Sequence, residues 1–513
     1  MNGGRLAKAG LVSLVGGGAG AVLGLVLAVV VGRGLGDTGT GYFFQLVALF
    51  MILANVLELG ADTGLVRELS RQVALGRFAD LRRTVVVAVV PVVLVGTVAL
   101  GAVWLAAPWL AELLTDPAGR PVLTELIRQT VPLALLASLV AVLLGGTRGL
   151  GGVLPFTAVH NIGLPVARVA GVLVVLGAGY GVVVAAHAWA WPFAVAAAVA
   201  AVILLRQLRE RTGADAARPS EAPAPTQVLA REFWTFSAPR GVAAALEIAL
   251  VWIDVLIVGA VLGPTAAGVY AVVSRCAQSG LLVENAMRMA VSPRISGAMA
   301  TGDLATARSL HLATTRAMIL LAWPFYLTLA LFAPLVLGLF GDGFGEGTVP
   351  LALLCVAMLI WTGAGMVQTI LLMGGRSSWQ MKNKAVALAT NVIGNLVLVP
   401  VCGIAGAALA WALTIAVDAG LAIWQVHRVL TVRIASRDLL APVAVVLGAV
   451  GVPGVLLRWT LGPTPAALGL HVLCAAALLA AVCWRMRESL GLASAAGMFK
   501  RGKAKVSAGS PAP

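Results

Sequence analysis

Runs of about twenty apolar residues, separated by short polar or basic stretches, recur along the whole chain, and that is the length a helix needs to cross about 30 Å of hydrocarbon. The runs are, approximately, Ala9 to Val31, Gly41 to Gly64, Thr84 to Ala107, Val122 to Leu144, Val153 to Leu176 and Val182 to Leu205. After a polar interval come Phe233 to Leu262, Gly268 to Val291, Thr314 to Leu339, Val349 to Met373, Ala385 to Val401, Ile404 to Trp424, Leu439 to Leu457 and Ala466 to Trp484. Segments such as LVLAVVVG and VAVVPVVLVGTVALGAVWLAA are apolar all round rather than alternating. This predicts helices and argues against a transmembrane β-barrel. The expected fold class is an all-α polytopic membrane protein of about fourteen transmembrane helices.

Composition agrees: 60% of the 513 residues are hydrophobic and 11% are charged, more apolar than a water-soluble fold can hide. The net charge of +15 would suit nucleic acid if it were spread over the surface, but it is sorted by side. With the N-terminus inside, cytoplasmic segments hold roughly 27 of the 36 Lys and Arg, and external loops hold only Arg33, Arg120 and Arg458. The basic loops therefore set topology and touch anionic lipid, and no nucleic-acid partner is expected. The expected location is a bacterial cytoplasmic membrane, with both termini in the cytoplasm. The opening run is too long for a signal peptide and reads as the first span. Cys276, Cys355, Cys402, Cys474 and Cys483 show no paired ligand spacing and read as small packing residues. The five histidines are scattered, so no metal site is expected. GMFKRGKA, from Gly497, has phosphate-loop spacing but ends in Ala and follows no strand, so it reads as a chance match.

The one long internal hydrophilic stretch, Arg206 to Glu232, is a linker between lobes. The expected organisation is a six-helix lobe at 1–205, a cytoplasmic linker at 206–232, and a second six-helix lobe at 233–428. Two further helices at 429–486 and a basic cytoplasmic tail at 487–513 complete it. The lobes repeat each other. GLGDTGTGYF pairs with VLGPTAAGVY, so that Gly36 meets Gly263, Thr38 meets Thr265, Gly41 meets Gly268 and, further on, Arg67 meets Arg294, an offset of 227. Gly181, Ala185, Ala186 and Trp189 pair with Gly403, Ala407, Ala408 and Trp411 at an offset of 222. Six spans separate the copies, an even number, so the lobes are parallel repeats. Gly16, Gly20 and Gly24 form a small-residue stripe suited to close helix packing.

GRGLGDTGTGYFFQLVALFMILANVLELGADTGLVRELSR resembles the N-terminal signature of the polysaccharide-transporter (Wzx-type) oligosaccharide flippases, and WIDVLIVGAVLGPTAAGVYAVVSR resembles their matching stretch at helices 7 and 8. Their superfamily also holds the multidrug extruders and the MurJ-type lipid II flippases. The resemblance implies two bundles around a cavity that opens alternately to either face, the lobes rocking about the turns after helices 1 and 7. The implied cargo is a polyprenyl-pyrophosphate-linked oligosaccharide moved outward for cell-surface polysaccharide. Membrane lipids are further partners, with a polysaccharide polymerase and glycosyltransferases as possible functional ones. A cation-coupled multidrug extruder and a lipid II flippase are the alternatives within the class. An enzyme is not expected, because every external loop is short; no cofactor is expected beyond a coupling proton or sodium ion.

A pyrophosphate head needs cations to replace its water, and an arginine at the bilayer centre costs at least about 2.5–3.5 kcal/mol, so arginines inside spans mark function. Arg128, Arg168, Arg240, Arg275 and Arg288 lie within spans, and Arg168, Arg240, Arg275 and Arg288 are the candidate substrate-binding residues. Asn55, Glu58 and Asp62 form one polar stripe, and Glu284 can pair with Arg288 one turn on. Asp254, near mid-span, and Glu247, seven residues earlier on the same face, are candidates for cation coupling. Asp254 reads alternatively as the structural partner of an arginine such as Arg275.

Overall fold

The computed structural model describes residues 3–214, 224–374, 377–429 and 437–485. The centre of the linker and the basic tail with its GMFKRGKA run lie outside the described residues. Every regular element among the described residues is a helix. Twelve of these elements are long and apolar enough to cross a membrane. Two are of double length, Gly16–Ala74 with 59 residues and Ser378–Arg428 with 51. Each is broken at a glycine, Gly36 (φ 68°, ψ −174°) and Gly403 (φ 59°, ψ −142°), at the positions where the sequence places the turns between spans 1 and 2 and between spans 11 and 12; the first has a further left-handed break at Leu59 and Gly60. The break between spans is one residue wide, so the apolar runs on either side stay one element, and twelve elements rather than fourteen separate helices result.

Large apolar side chains lie on the outside, with Trp459 84% and Val401 81% exposed. That inversion is expected where lipid, not water, is the solvent.

The described residues pack into two compact units. One joins Ala9–Arg275 with Asn395–Ile404; the other joins Cys276–Gly394 with the described residues up to Lys8 and from Ala405 onward. In the first, Leu65, Leu69, Leu81, Ala88 and Val92 form a core with Val142, Leu204 and Phe233. Close approach there depends on glycine. A Cβ on Gly145 would stand 2.5 Å from the Asp62 carbonyl, and one on Gly149 would stand 2.7 Å from that of Leu65, so this i, i+4 stripe lets the Ala134–Gly149 helix lie against the backbone of Ala61–Ala74. Where the chain resumes after the linker, the Ala224 N–H donates to Asp80 at 3.1 Å and Arg71 pairs with Glu232 at 3.1 Å.

The repeat is visible in backbone geometry. Gly263 (φ 86°, ψ 176°) has the conformation of Gly36, its repeat partner; the φ is one that only glycine adopts without strain. The two turns interlock within the first unit. Thr38 and Thr265 meet hydroxyl to hydroxyl at 2.8 Å, 227 residues apart in sequence. A Cβ on Gly41 would stand 1.7 Å from the Pro264 carbonyl oxygen, and one on Gly268 would stand 2.2 Å from that of Asp37. The two glycines are repeat partners, and so are the two carbonyls they face, so the contact is reciprocal.

In the second unit, Val291, Ile295, Met318, Ile370 and Val426 form one core, and Ile319, Val446, Val450 and Ala475 form another beneath the last two helices. Those helices are fastened by polar contacts. The Thr328 hydroxyl meets His471 Nε2 at 3.0 Å, and Arg458 donates to the Leu331 carbonyl. At the start of the Leu304–Leu331 helix, bonds from the Thr306 side chain and backbone hold the Asp303 carboxyl below its usual pKa.

Candidate functional site

The first unit contains a cavity of about 320 Å³ lined by Gly17, Gly20, Met51, Ala54, Asn55, Glu58, Ala137, Ala141, His160, Asn161, Leu164, Pro165, Arg168, Phe193 and Ile248. Its polar wall comes from a local defect in span 5. Pro165 has no N–H for the carbonyl of Asn161, four residues back, and its ring crowds that carbonyl. The helix relieves this with a π-turn over Thr157–Gly163, a device frequent at functional sites. His160 and Asn161 are thereby set on the cavity wall. Gly20 makes the fit, since a Cβ there would lie 2.9 Å from the Asn161 carbonyl oxygen. A Cβ on Gly16 would lie 2.3 Å from the Thr157 methyl, whereas Gly24 faces open space, so two of the three glycines in the small-residue stripe serve packing against this turn.

Arg168 follows on the Leu164–Gly177 helix. Its guanidinium carbon lies 4.5 Å from the centre of the Trp189 ring and 4.2 Å from that of Phe193, with Phe193 in turn stacked on Phe50 at 5.4 Å. The rings hold the cation by its face, worth about 0.5–2 kcal/mol per contact. They leave its edge unsatisfied: the buried Nε and Nη2 atoms have no hydrogen-bond partner. Glu58 lines the same cavity, and among the described residues its carboxylate makes no hydrogen bond or ion pair. Asp62, one turn further, lies 3.9 Å from Arg148 and accepts from Thr63 at 3.1 Å. Asn55 Oδ1 is buried without a partner. A guanidinium with free donors, beside a carboxylate and two amides, can hold an anionic oxygen group.

The other candidates are dispersed, and only Arg168 of the four arginines lines this cavity. Arg275 lies over the Trp252 ring at 3.9 Å, with Nε and Nη2 unpartnered. Arg240 is exposed and 3.9 Å from Glu247. Arg288 is exposed and donates to Asn285 at 2.9 Å. Arg128 is exposed over Trp104. The pairing of Glu284 with Arg288 does not form; Glu284 instead accepts a 2.6 Å bond from the Trp361 indole, because the aromatic donor reaches it from a neighbouring helix while Arg288 turns outward. Asp254 is 2% exposed and accepts from Tyr270 at 2.8 Å and Asn395 at 2.9 Å, so two neutral donors hold it while Arg275 goes to Trp252. Among the described residues, no group of three or more His, Cys, Asp or Glu side chains could hold a metal ion. Cys276 and Cys355 are buried as expected of packing residues, whereas Cys402 is exposed; all five cysteines are free.

Sequence spacing missed the π-turn and the aromatic seat of Arg168. Pro165 and the Trp189/Phe193 pair, four residues apart, were the available signals.

This arrangement of broken, glycine-paired helices in two repeats is the fold of the multidrug and lipid-flipping transporters. A multidrug-resistance transporter of the MATE family, inward-facing, superposes with a TM-score of 0.65 at 14% identity, covering 80% of this chain and 95% of its own. The lipid II flippase MurJ, in an inward closed conformation, gives 0.64 at 11% identity, covering 91% and 97%. A MOP-superfamily transporter from Pyrococcus furiosus gives 0.54 at 16% identity, covering 84% and 96%. No curated protein sequence matches the chain. The family model described as polysaccharide biosynthesis protein matches residues 6–299. The chain belongs to the polysaccharide biosynthesis protein family.

Proposed function

We propose that this protein is a secondary flippase carrying a polyprenyl-pyrophosphate-linked oligosaccharide from the cytoplasmic to the outer leaflet of a bacterial plasma membrane, with both termini cytoplasmic. The observation that carries the reading is Arg168, a guanidinium held by aromatic faces in a cavity with its buried edge donors free. Free donors on a buried cation suit phosphate. The polyprenyl tail stays in lipid and lies along an apolar groove of about 470 Å³ between the Leu304–Leu331 helix and the penultimate helix, walled by Leu327, Leu331, Leu447, Val452, Val455 and Leu456.

An inside-negative potential favours outward movement of an anion by about 2.3 kcal/mol per charge per 100 mV. Asp254 and Glu247 add coupling to a proton or sodium ion, Asp254 being the member of the pair shielded from solvent. The interlocked turns at Thr38 and Thr265 act as the outer closure, which parts when the cargo leaves, rather than as a fixed pivot. A polymerase and glycosyltransferases would act before and after the flip, and the chain itself performs no chemistry on the saccharide.

The second reading, a multidrug extruder, draws on the likeness in fold to the MATE transporter. The test is flipping by purified protein in liposomes, scored as exposure of a fluorescent polyprenyl-pyrophosphate oligosaccharide to an external reagent. The parent should flip it, and folded Arg168→Ala should fall by tenfold or more, about the weight of one charge-assisted contact. Expulsion of a cationic dye with no lipid movement would overturn the flippase reading.

A further inference from the structure

The first double-length element breaks twice, and the two breaks differ in kind. At Gly36 the positive φ falls on glycine, which adopts it freely. At the second break it falls on Leu59 (φ 52°) as well as on Gly60 (φ 74°), and Leu59 is the one non-glycine residue at positive φ among the described residues. A Cβ in this conformation crowds the following carbonyl, and such a residue persists only where its surroundings over-determine it. The turn also forgoes helical bonding. The Ala61 N–H closes on the Glu58 carbonyl at 2.8 Å and the Gly64 N–H on that of Gly60 at 3.0 Å, while no backbone N–H among the described residues donates to the Leu59 carbonyl between them.

Two contacts hold the strained turn. The Leu59 side chain packs against the core that contains Leu65, Leu69, Leu81 and Phe233. Its peptide lies backbone to backbone on the early part of span 7, the Thr226–Leu262 helix. A Cβ on Gly241 would stand 2.5 Å from the Leu59 carbonyl carbon, one on Gly60 2.2 Å from the Ser237 carbonyl oxygen, and one on Gly64 2.0 Å from Ser237 Oγ. Ser237 and Gly241 are one turn apart, so a single face of span 7 covers the break. From there to the linker the two segments stay fastened. Arg67 lies over the Phe236 ring at 4.2 Å, Arg71 pairs with Glu232 at 3.1 Å, Phe233 is buried, and the Ala224 N–H donates to Asp80 at 3.1 Å.

The place of this contact follows from what lies on either side of it. Met51, Ala54, Asn55 and Glu58 of span 2 line the cavity, as does Ile248 of span 7. On both spans, therefore, the contact stands between the residues that line the cavity and those that reach the linker.

We infer that this contact is a closure held under tension: the Ser237–Gly241 face of span 7 pins span 2 in a strained turn at Leu59, and departure of span 7 lets the turn relax, so that backbone strain favours opening on the linker side. The turns at Thr38 and Thr265 have glycine at both breaks, Gly36 and Gly263, and carry no such strain. The bias belongs to the linker-side closure alone. The inference rests on the proposed function for one point, that the linker side is cytoplasmic and is where cargo enters.

The test is cysteine accessibility. Ala141, on the cavity wall, is replaced by cysteine in a chain whose five native cysteines are serine or alanine, and a membrane-impermeant maleimide is applied to the linker side in inverted vesicles. Labelling of this parent reports opening on that side. Leu59→Gly keeps the turn and removes the crowding, so labelling should slow by about fivefold or more, the equilibrium weight of one non-glycine residue held at positive φ. Leu59→Ala keeps a Cβ and with it the crowding, so labelling should stay within about twofold of the parent. Gly241→Ala cannot seat against the Leu59 carbonyl and should label several-fold faster.

Thermal unfolding in detergent separates strain in the fold from strain in the closure. A folded Leu59→Gly that labels at the parent rate, whatever its melting temperature, overturns the inference. So do Leu59→Ala slowing as far as Leu59→Gly, which assigns the effect to the side chain, a folded Gly241→Ala labelling no faster than the parent, and a parent that never labels from this side. The assay needs no cargo. Labelling rates ordered as expected, with no lipid flipped by the parent, keep the closure and remove the cargo; lipid flipped by the parent, with Leu59→Gly labelling like it, removes the closure and keeps the cargo.

Discussion

The reciprocal contact between the two glycine turns gives the most decisive prediction about the transport cycle. Replacing Thr38 and Thr265 with cysteine, in a background where Cys276, Cys355, Cys402, Cys474 and Cys483 are serine or alanine, puts two sulfurs where two oxygens stand 2.8 Å apart. A disulfide needs an S–S distance near 2 Å and about 4 Å between Cβ atoms, so oxidation should proceed with shifts of a few tenths of an ångström. The bridge closes a loop spanning 227 positions, which by chain entropy is worth up to about 5 kcal/mol against unfolding. It also forbids the two Cα atoms from parting beyond about 7 Å. A protease site inserted in the linker at 215–223 reports the bridge, since the cut halves stay joined on a non-reducing gel. Oxidised protein should unfold at higher temperature and flip no lipid, and reductant should restore flipping to the unoxidised rate. Bridged protein that flips at the parent rate would refute the closure and return the turns to the role of pivot. Failure of the bridge to form would refute the contact itself.

Two further outcomes follow from packing and from the buried acid. Gly268→Ala must move the facing Asp37 carbonyl, which a Cβ would approach to 2.2 Å, whereas Gly101→Ala meets nothing within 4 Å. The first should lose about 1–3 kcal/mol of stability by overpacking and the second should be near neutral; thermal melts of the two in the same detergent check this, and equal melts would contradict the interlock. Asp254→Asn keeps the shape, its one oxygen accepting from Asn395 and its NH2 donating to the Tyr270 hydroxyl oxygen, but removes the charge, so flipping should persist under a membrane potential while its stimulation by a proton or sodium gradient disappears. Measuring flipping with each gradient imposed separately tests that, and undiminished stimulation would remove Asp254 from the coupling role.

Much of this protein was legible before any coordinates. Solvent dictates it: in lipid every backbone group must be satisfied within the segment, so apolar runs of about twenty residues have to be helices. The repeat was equally visible, because Gly36 and Gly263 must adopt a φ that other residues resist, and that demand survives in sequence when the side chains around it have diverged. Asp254 could be singled out for the same reason, a carboxylate in an apolar run. The partners of each intramembrane charge were not legible. Glu284 was expected to reach Arg288 along its own helix and instead meets Trp361 from another, 77 residues away. Arg168 was a candidate by its place within a span, but that Trp189 and Phe193 seat it and leave its edge free was not legible. Helical periodicity fixes which residues share a face, but not which face meets which. The sequence by itself determined that this chain lives in a membrane as a doubled helical bundle. Only the packing of helices distant in the chain decided that Arg168 and Arg275 would each be left with buried donors unpaired while Lys384 was closed by Asp418.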